Sequence, residues 1–345
     1  MHPKKRLLYV GNKLAKHGLS PTTADSLPPL LREEGYSVVS VSSKKNIFLR
    51  MLEMMWVTFK NRKQVDIAVI DTYSTLNFYY AVIIASICRY YKIPYIPVLH
   101  GGNLPHRLKK SKRLSNTLFN KAYTNVAPSA YLLNKFKEAG YANLTYIPNT
   151  IPIENYRFLE RSKPSAKLLW VRSFAEIYNP LLALEIVEGL MKDGVDVQLC
   201  MVGPDKDGSL ERCKKIATEM KLPISFTGLL SKQEWISLSK EYDIFINTTN
   251  FDNMPVSVME AMALGMPVVS TNVGGLPYMI EDGTNGILLP PNSAQSFVKA
   301  ITTLINTPEK SLFIARNARA EIEKMDWGVV RGMWDEVLMG GVCER

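Results

Sequence analysis

The sequence predicts an α/β protein made of two doubly wound domains. The chain has 345 residues, and about 150 residues per domain is usual. Short apolar stretches alternate with longer stretches of helical periodicity in both halves. Strands that are apolar on both faces are typical of parallel sheets covered by helices on each side. Each half is therefore expected to contain one such sheet.

The first domain is predicted over residues 1–152 and the second over 153–325, because a polar, proline-containing join lies near 148–152. A last helical stretch, 326–345, is expected to pack back toward the first domain. In the first domain a helix is predicted over 20–34, with Ser20 as its N-cap, and Ser231 and Glu234 form a capping-box pattern in the second. The predicted strands of the first domain are 6–10, 36–42, 66–71, 95–99, 123–127 and 144–147. Those of the second are 167–171, 195–202, 224–227, 243–247, 267–270 and 287–289.

Composition and cysteine spacing favour a cytoplasmic protein. No apolar run reaches the roughly 18 residues of a membrane span, and the start is too short in apolar residues for a secretory leader. Cys88, Cys200, Cys213 and Cys343 are scattered, which argues against a zinc site or a disulfide framework. We expect Cys88 and Cys200 to be small buried hydrophobic residues.

Charge is distributed unequally along the chain. Residues 1–150 hold 22 Lys and Arg against 7 Asp and Glu, a net charge of +15, whereas residues 151–345 hold 20 against 25, a net charge of −5. Such asymmetry indicates that the first half faces something anionic: nucleic acid, a membrane surface or a phosphorylated substrate. Charge alone does not choose among them.

The segment 250–275 is the most informative part of the sequence. A strand ends before it, a polar loop containing Asp252 follows, and a helix begins near Pro255 and carries Glu260. Free N–H groups at a helix start suit a phosphate or sugar hydroxyls, and two carboxylates beside them can accept hydrogen bonds from a polyol. Gly274 and Gly275 are expected to permit close approach of the backbone to a ligand. Ordinary loop and capping chemistry is the structural alternative.

The pattern Asp252-x7-Glu260 followed by AMALGMPVVSTNVGG resembles the signature of retaining family-4 glycosyltransferases of group 1, of the bacterial polysaccharide and lipid-glycan type. That family has the GT-B fold, in which two Rossmann-like domains face each other across a cleft. The resemblance extends over nearly the whole chain through shorter motifs in the same order. These are Val202-Gly203-Pro204, Phe226-Thr-Gly228, Ala127-Pro-Ser129, Ile147-Pro-Asn149 and His100-Gly-Gly102.

The resemblance implies roles for individual residues. Arg172 matches a diphosphate-binding arginine, Asp252 stands where the family has a glutamate that touches the transferred sugar, and His100 matches a histidine near the reacting sugar; these three are the predicted catalytic residues. Glu260 matches the glutamate that binds the ribose hydroxyls. The remaining predicted donor-binding residues are Asn253, Met254, Pro255 and Val256 through their backbone N–H groups, with Gly203, Leu229 and Gly18. The predicted acceptor or membrane side comprises Gly101, Gly102, Arg107, Lys109 and Lys110.

Two departures from the family pattern bear on catalysis. Asp252 is one methylene shorter than the usual glutamate. The lysine that usually follows the arginine is absent from 172–180, so one phosphate-neutralising charge is missing or comes from elsewhere, for example from Lys13 or Lys16. These departures favour, as an alternative, a non-catalytic relative that keeps the fold.

Smaller signals allow two interpretations each. Asp205 and Asp207 match a DxD metal motif but are interpreted as a solvated turn. The segment 44–63 carries Met51, Leu52, Met55, Trp56 and Phe59 on one helical face between basic residues, and either forms a core helix or binds a membrane surface. The basic run 107–113 is either a solvated face or a site for a lipid diphosphate.

The sequence therefore predicts a metal-independent, retaining hexosyl- or related glycosyltransferase with no cofactor. It would use a nucleoside-diphosphate sugar, most often UDP-linked in the family, and a saccharide or polyprenyl-diphosphate-linked acceptor. It is expected in the cytoplasm, with peripheral attachment to the inner face of an anionic membrane as a further hypothesis. A nucleic-acid-binding protein and a sugar-nucleotide epimerase are the remaining alternatives; nucleic acid is not an expected partner. The donor base, sugar, acceptor, linkage and oligomeric state are not determined by the sequence.

Overall fold

A computed structural model describes residues 4–17 and 22–340, which form two compact units. The first unit takes the described residues up to Asn149 together with those from Gly328 onward. The second unit runs from Thr150 to Trp327. Each unit is built around its own six-stranded parallel sheet and has its own hydrophobic core.

The first sheet has the strand order β2-β1-β3-β4-β5-β6. Its inner strands are apolar and buried on both faces, as predicted for a sheet that helices cover. The order reverses direction at β1, between β2 and β3, so the carboxyl ends of β1 and β3 open a crevice. The strands are β1 (Arg6–Val10), β2 (Ser37–Val41), β3 (Ile67–Thr72), β4 (Tyr95–Leu99), β5 (Asn125–Ala127) and β6 (Leu144–Tyr146).

Six helices connect these strands. The first begins at Thr23, and the Asp25 carboxylate accepts a hydrogen bond from the N–H of Thr22 at 2.9 Å, so Thr22 occupies the cap position. The predicted start of this helix, with Ser20 as cap, lies outside the described residues. The helices are α1 (Thr23–Glu33), α2 (Ile47–Asn61), α3 (Asn77–Tyr90), α4 (Leu104–Lys110), α5 (Lys112–Phe119) and α6 (Ala130–Glu138).

The second sheet has the order β12-β11-β10-β7-β8-β9. All its strands are parallel, and the order reverses at β7, between β10 and β8. The carboxyl ends of β7 and β10 therefore form the expected ligand-binding crevice of this unit. The strands are β7 (Ala166–Val171), β8 (Val197–Val202), β9 (Ile224–Gly228), β10 (Ile244–Asn247), β11 (Val268–Thr271) and β12 (Ile287–Leu289).

Six further helices cover the second sheet. The capping box predicted from Ser231 and Glu234 is present: Glu234 accepts from the N–H of Ser231 at 2.7 Å, and Ser231 accepts from the N–H of Glu234 at 3.3 Å. The helices are α7 (Pro180–Lys192), α8 (Ser209–Glu219), α9 (Lys232–Leu238), α10 (Val256–Ala263), α11 (Ala294–Asn306) and α12 (Pro308–Glu323).

The last helix, α13 (Trp327–Gly340), packs on the first unit. Asp335 accepts hydrogen bonds from the Lys4 ammonium at 3.1 Å and from the Tyr36 hydroxyl at 2.7 Å. Trp334 and Leu338 of α13 are buried. Both the beginning and the end of the described chain therefore contribute to the first unit.

One predicted helix face is placed differently. α2 does pack on the core of the first unit, but its buried residues are Arg50, Met54, Val57 and Thr58. Met51 and Met55 lie at the edge of that core. The other members of the predicted face, Leu52, Trp56 and Phe59, are exposed, so the core interpretation is wrong for these three side chains.

Cysteines behave as predicted where they are described. Cys88 and Cys200 are buried in the two cores, and Cys213 is buried as well; none of the three forms a disulfide. Cys343 lies outside the described residues.

Candidate functional site

The reversal of strand order in the second unit brings two predicted catalytic residues together. Arg172 follows β7 directly, and Asp252 lies in the loop between β10 and α10. Because β7 and β10 are neighbours, their following loops meet at one edge of the sheet. The Arg172 guanidinium and the Asp252 carboxylate form an ion pair there, with side-chain exposures of 14% and 16%.

Arg172 is a desolvated cation. Burial lowers the pKa of its guanidinium, and the neighbouring Tyr178 raises it. The guanidinium carbon also lies 4.3 Å from the ring centroid of Tyr178, a cation–π contact. Its Nε atom is buried and has no hydrogen-bond partner among the described residues. Since an arginine keeps its charge even when its pKa is lowered, Arg172 places a permanent positive charge at this edge.

The amino end of α10 adjoins this ion pair. Pro255 is the N-cap, and the N–H groups of Val258 and Met259 donate to its carbonyl at 3.1 and 3.2 Å. The N–H groups of Met254, Val256 and Ser257 donate to no described residue, so they are available to an anion.

Two of the predicted backbone donors need correction. Pro255 has no N–H group, so it offers no hydrogen bond to a donor substrate. The N–H of Asn253 donates to Oδ1 of Asp252 at 2.7 Å, which orders the loop. Met254 and Val256 are thus the residues of the predicted set whose N–H groups remain available.

Gly274 and Gly275 pack against the loop that carries Asp252, and so leave no open space for a ligand. A Cβ on Gly274 would collide with the carbonyl oxygen of Asp252, and one on Gly275 would collide with that of Asn253. The N–H of Gly275 donates to the Asp252 carbonyl at 2.8 Å. The close approach predicted from these glycines therefore involves the protein's own backbone.

Glu260 lies in the second turn of α10 and is only 3% exposed. Its Oε1 accepts a hydrogen bond from the Tyr156 hydroxyl at 2.8 Å and pairs with the Lys232 ammonium. Burial raises the pKa of Glu260, and Lys232 and Tyr156 lower it. Both contacts fall on Oε1, so Oε2 is the oxygen that could accept a hydrogen bond from a ligand hydroxyl.

Lys232 and Tyr156 were not among the predicted site residues. Lys232 is the first residue of α9, directly after the Ser231 cap. The capping box in the sequence did indicate that Lys232 lies at the start of a helix. Nothing in the sequence indicated that Lys232 pairs with Glu260. The Tyr156 hydroxyl pKa is raised well above its ordinary value by burial and by Glu260.

Gly203 and Leu229 follow the adjacent strands β8 and β9. Gly203 has φ of +150°, its N–H donates to the Gly228 carbonyl at 2.8 Å, and a Cβ there would collide with the Arg172 carbonyl. Leu229 is 61% exposed. Both therefore lie at the carboxyl edge of the sheet that carries Arg172, and the close packing at Gly203 fixes the backbone of that arginine.

In the first unit, His100 is held by a buried carboxylate that sequence reasoning missed. Asp71 is fully buried near the end of β3, and its Oδ1 lies 3.0 Å from His100 Nε2 and accepts a hydrogen bond from the Tyr9 hydroxyl at 2.7 Å. Asp71 Oδ2 has no partner among the described residues. The signal was a carboxylate at the end of an otherwise apolar strand, at the reversal point of the sheet.

The predicted acceptor side lies in the loop and helix after β4. Gly101 packs against Ser74, where a Cβ would meet the Ser74 backbone nitrogen. Arg107 donates from Nε to the Ser74 carbonyl at 2.9 Å, so its side chain holds the loop before α3. Lys109 and Lys110 are exposed, and Gly102 is half-buried.

The remaining predicted groups are placed as follows. Gly18 lies outside the described residues. Asp205 accepts from the Gly208 N–H at 3.1 Å and Asp207 from the Ser209 N–H at 3.2 Å, contacts typical of a turn and a helix start. Lys13, considered as a substitute for the absent lysine, donates to Ser40 Oγ at 2.8 Å. Within the described residues no three His, Cys, Asp or Glu side chains are grouped as metal ligands would be.

Comparison with known proteins identifies the second unit. Residues 153–321 match the sequence model of the family described as Glycosyl transferases group 1. The second unit belongs to the glycosyl transferases group 1 family. The predicted group 1 family is thereby confirmed, whereas the retaining family-4 subtype stays a prediction.

Two curated relatives align with different shares of this chain. The chain is 31% identical over 149 residues to sulfoquinovosyl transferase SQD2 of Arabidopsis thaliana, which covers 42% of this chain and 28% of that protein. It is 25% identical over 241 residues to the uncharacterized glycosyltransferase MJ1178 of Methanocaldococcus jannaschii, covering 68% of this chain and 65% of that protein. The alignments thus span less than two thirds of either relative.

Solved structures share the fold of this chain. The crystal structure of Anabaena Alr3699/HepE in complex with UDP has a TM-score of 0.79 at 18% identity and covers 97% of this chain and 100% of that chain. Further structures of that protein hold UDP and glucose, and UDP-glucose. At this identity the likeness shows the fold, and it confirms the predicted class of two Rossmann-like α/β domains with parallel sheets.

In the part of the chain that the structure describes, no helix is both long and apolar enough to cross a bilayer.

Proposed function

We propose that the protein is a glycosyltransferase that moves a sugar from a nucleoside-diphosphate sugar to a saccharide or lipid-linked acceptor, with retention of the anomeric configuration. The observation that carries the proposal is the ion pair of Arg172 and Asp252 beside the amino end of α10. A permanent cation, available backbone N–H groups and a carboxylate lie at one edge of the sheet. This set suits a ligand that has both a diphosphate and sugar hydroxyls.

The diphosphate is assigned to Arg172 and to the amino end of α10. Breaking the bond between the anomeric carbon and the diphosphate oxygen leaves negative charge on the diphosphate. A fixed guanidinium and N–H groups stabilise that charge as it develops, without reorganisation at the moment of reaction. Asp252, which already contacts Arg172, is assigned to hydroxyls of the transferred sugar.

The nucleoside is assigned to Glu260. A carboxylate buried to 3% exposure forms strong charge-assisted hydrogen bonds, and two ribose hydroxyls are donors that suit it. Lys232 partly offsets the effect of burial, because its ammonium lowers the pKa that burial raises. Uridine is the proposed base, since the Anabaena relative binds UDP.

Retention is proposed to proceed by transfer on the face that the diphosphate leaves. The bond from the anomeric carbon to the diphosphate oxygen breaks while the bond to the acceptor oxygen forms. A phosphate oxygen of the departing diphosphate takes the acceptor proton, so no cofactor and no metal ion are assigned. His100, held by Asp71, is proposed to contact the reacting sugar.

The first unit is proposed to bind the acceptor. Gly101, Gly102, Arg107, Lys109 and Lys110 follow its fourth strand, and residues 1–150 carry a net charge of +15. This charge suits a polyprenyl-diphosphate-linked glycan or another anionic acceptor. We further propose that the protein acts in the cytoplasm, peripherally at an anionic membrane.

Ligand binding followed by product analysis tests the proposal. Thermal unfolding is measured with a panel of nucleoside diphosphates and their sugars; a ligand at 100 times its Kd adds about 2.7 kcal/mol to the free energy of unfolding. The stabilising donor is then incubated with oligosaccharide and lipid-linked acceptors in the presence and absence of EDTA. NMR of the product gives the anomeric configuration.

The possible outcomes separate the candidate functions. Transfer that persists in EDTA and retains the anomeric configuration supports the whole proposal. Stabilisation by UDP with neither transfer nor donor hydrolysis indicates a non-catalytic binding protein, which Asp252 and the absent lysine would favour. Inversion, or a requirement for a divalent ion, contradicts the mechanism.

A further inference from the structure

The exposed side of α2 carries a continuous apolar stripe. Phe48 is 70% exposed, Leu52 58%, Trp56 59% and Phe59 47%. Their spacing of four, four and three residues places them on one face of the helix, opposite the buried Met54 and Val57. Large exposed apolar side chains are ordinary when scattered; four on one helix face mark an interaction surface.

The stripe forms one wall of a groove on the first unit. α3 supplies the opposite wall, and the groove between the two helices has a volume of about 730 Å³. Ile83, Ile87 and Tyr90 of α3 face Leu52, Trp56 and Phe59 of α2 across it. Ser86 is the one lining residue with a short polar side chain, so the groove suits a hydrocarbon chain.

The two helices that form the groove, with the residues beside them, carry mainly positive charge. Residues 44–63 and 77–92 together hold eight Lys and Arg, of which Arg50 is buried, against the single carboxylate Glu53. That carboxylate is engaged by the Ser42 hydroxyl. The Lys60 ammonium lies 4.9 Å from the Trp56 ring centroid. The apolar groove therefore has a cationic rim that little negative charge offsets.

We propose that this groove docks the first unit on an anionic phospholipid bilayer, with a lipid acyl chain between α2 and α3. Apolar insertion and attraction of Lys and Arg to anionic headgroups are the two contributions that bind peripheral helices to membranes. A second copy of the chain is disfavoured as the occupant, because two rims of the same charge would repel each other. The inference rests on the membrane part of the proposed function and names the surface responsible.

Tryptophan quenching tests insertion directly. The full-length protein is mixed with phosphatidylglycerol vesicles whose acyl chains carry bromine, a short-range quencher. Trp170, Trp235 and Trp334 are at most 4% exposed, and Trp327 is half-buried and does not line the groove. Trp56 is therefore expected to provide most of the quenching. We expect clear quenching that Trp56→Tyr removes, and little with brominated phosphatidylcholine. Vesicle binding without quenching, or equal quenching in Trp56→Tyr, would overturn the proposal.

Matched variants measure the two contributions by vesicle flotation. Leu52→Ser/Phe59→Ser should weaken binding at least about tenfold, whereas Phe313→Ser, a 55% exposed aromatic of the second unit, should not. Lys60→Gln/Lys63→Gln should weaken it about 25-fold, taking about fivefold per lysine, and Lys299→Gln/Lys310→Gln should leave it unchanged. Equal effects in the controls would contradict the groove.

Two further measurements separate this inference from its alternatives. Concentration-dependent dimerisation without vesicles that Leu52→Ser/Phe59→Ser abolishes would assign the groove to a second copy and overturn the proposal. The thermal shift caused by UDP should be unchanged in every groove variant, because these residues belong to the first unit. Absence of that shift in the parent protein, with vesicle binding intact, would contradict the glycosyltransferase proposal alone.

Discussion

The guanidinium of Arg172, at the end of β7, pairs with the carboxylate of Asp252, 80 positions later in the chain, after β10. The two residues meet because β7 and β10 are neighbouring parallel strands at the point where the strand order reverses. Each therefore constrains the other, and a change in either alters how positive charge is presented to a diphosphate.

Arg172→Ala should lower kcat by about 10²- to 10³-fold, since it removes one fixed donor that stabilises developing charge. Arg212→Ala, at an exposed arginine of the same unit, is the matched control and should leave kcat unchanged. Steady-state rates of donor turnover at saturating donor check this. A kcat of Arg172→Ala within a few-fold of the parent protein would exclude the arginine from charge stabilisation.

The pH dependence of stability should reveal Glu260. Burial raises its folded-state pKa above the ordinary 4.5, so the ligand-free fold favours the protonated form. Its contribution to the free energy of unfolding is therefore greatest below pH 4.5 and is lost as pH rises through the raised pKa.

Glu260→Gln should remove that loss while weakening binding of UDP, since an amide accepts weaker hydrogen bonds from hydroxyls than a carboxylate does. Urea denaturation across this pH window measures the first effect, and calorimetric titration with UDP measures the second. Unchanged UDP affinity in Glu260→Gln would remove this residue from the nucleotide site.

Gly274→Ala should destabilise the second unit more than Gly283→Ala. Both glycines have positive φ, +58° and +75°, so both alanine variants incur about 1–2 kcal/mol of backbone strain. At position 274 the new methyl group collides with the Asp252 carbonyl. At position 283 the new methyl group has no atom within 4 Å apart from those of its chain neighbours.

The comparison of these two variants isolates the support that Gly274 gives to the loop carrying Asp252. Urea denaturation gives the difference in stability, and UDP affinity shows whether the loop has moved. Equal stability and equal UDP affinity in Gly274→Ala and Gly283→Ala would show that the loop adapts to the added methyl group.

Asp71→Asn should change the proton position on His100. An ionised Asp71 accepts a hydrogen bond, so neutral His100 carries its proton on Nε2, 3.0 Å from Oδ1. An amide can donate as well as accept, and the preference for that tautomer should weaken. The imidazole ¹⁵N chemical shifts, read in long-range ¹H–¹⁵N spectra, report the tautomer.

Tyr9→Phe is the control for Asp71→Asn, because it removes the other hydrogen bond to Asp71 Oδ1 and leaves the carboxylate. It should retain the Nε2–H tautomer. If Asp71→Asn also retains it, together with the parent kcat, then Asp71 does not position His100.

The fold was predictable because the apolar strands are local signals. The stretches 6–10, 95–99 and 287–289 read as strands from their side chains alone, and the structure places strands over the same residues. Strand order was not predictable, since a parallel sheet is assembled from connections that the apolar pattern does not specify. The pairing of Asp71 with His100 follows from that order, because β3 and β4 are neighbours, and it was missed for the same reason. The pairing of Lys232 with Glu260 joins two helices, α9 and α10, and no local pattern indicated it.

The placement of Asp252 in a loop and of Glu260 on the following helix was predictable, because the motif fixes the local backbone. The prediction of Pro255 as a backbone donor was wrong, because proline has no N–H group. The helix face of α2 shows a second limit. Periodicity finds an apolar stripe but does not say what covers it, so both a core helix and a membrane-binding surface remained open for Leu52, Trp56 and Phe59. The structure exposes these three side chains, and Met54 and Val57 of the same helix are buried.

Because α13 packs on the first unit through Asp335, Trp334 and Leu338, the polypeptide crosses between the units twice, near residues 149 and 327. The group 1 unit is thus an insertion within the first unit. An expression clone of residues 150–327 contains one unbroken polypeptide, whereas the first unit needs its two segments rejoined by an engineered linker. Circular permutants with new chain ends inside the insertion would keep both crossings, near residues 149 and 327. Spectroscopic labels could then be attached at each crossing.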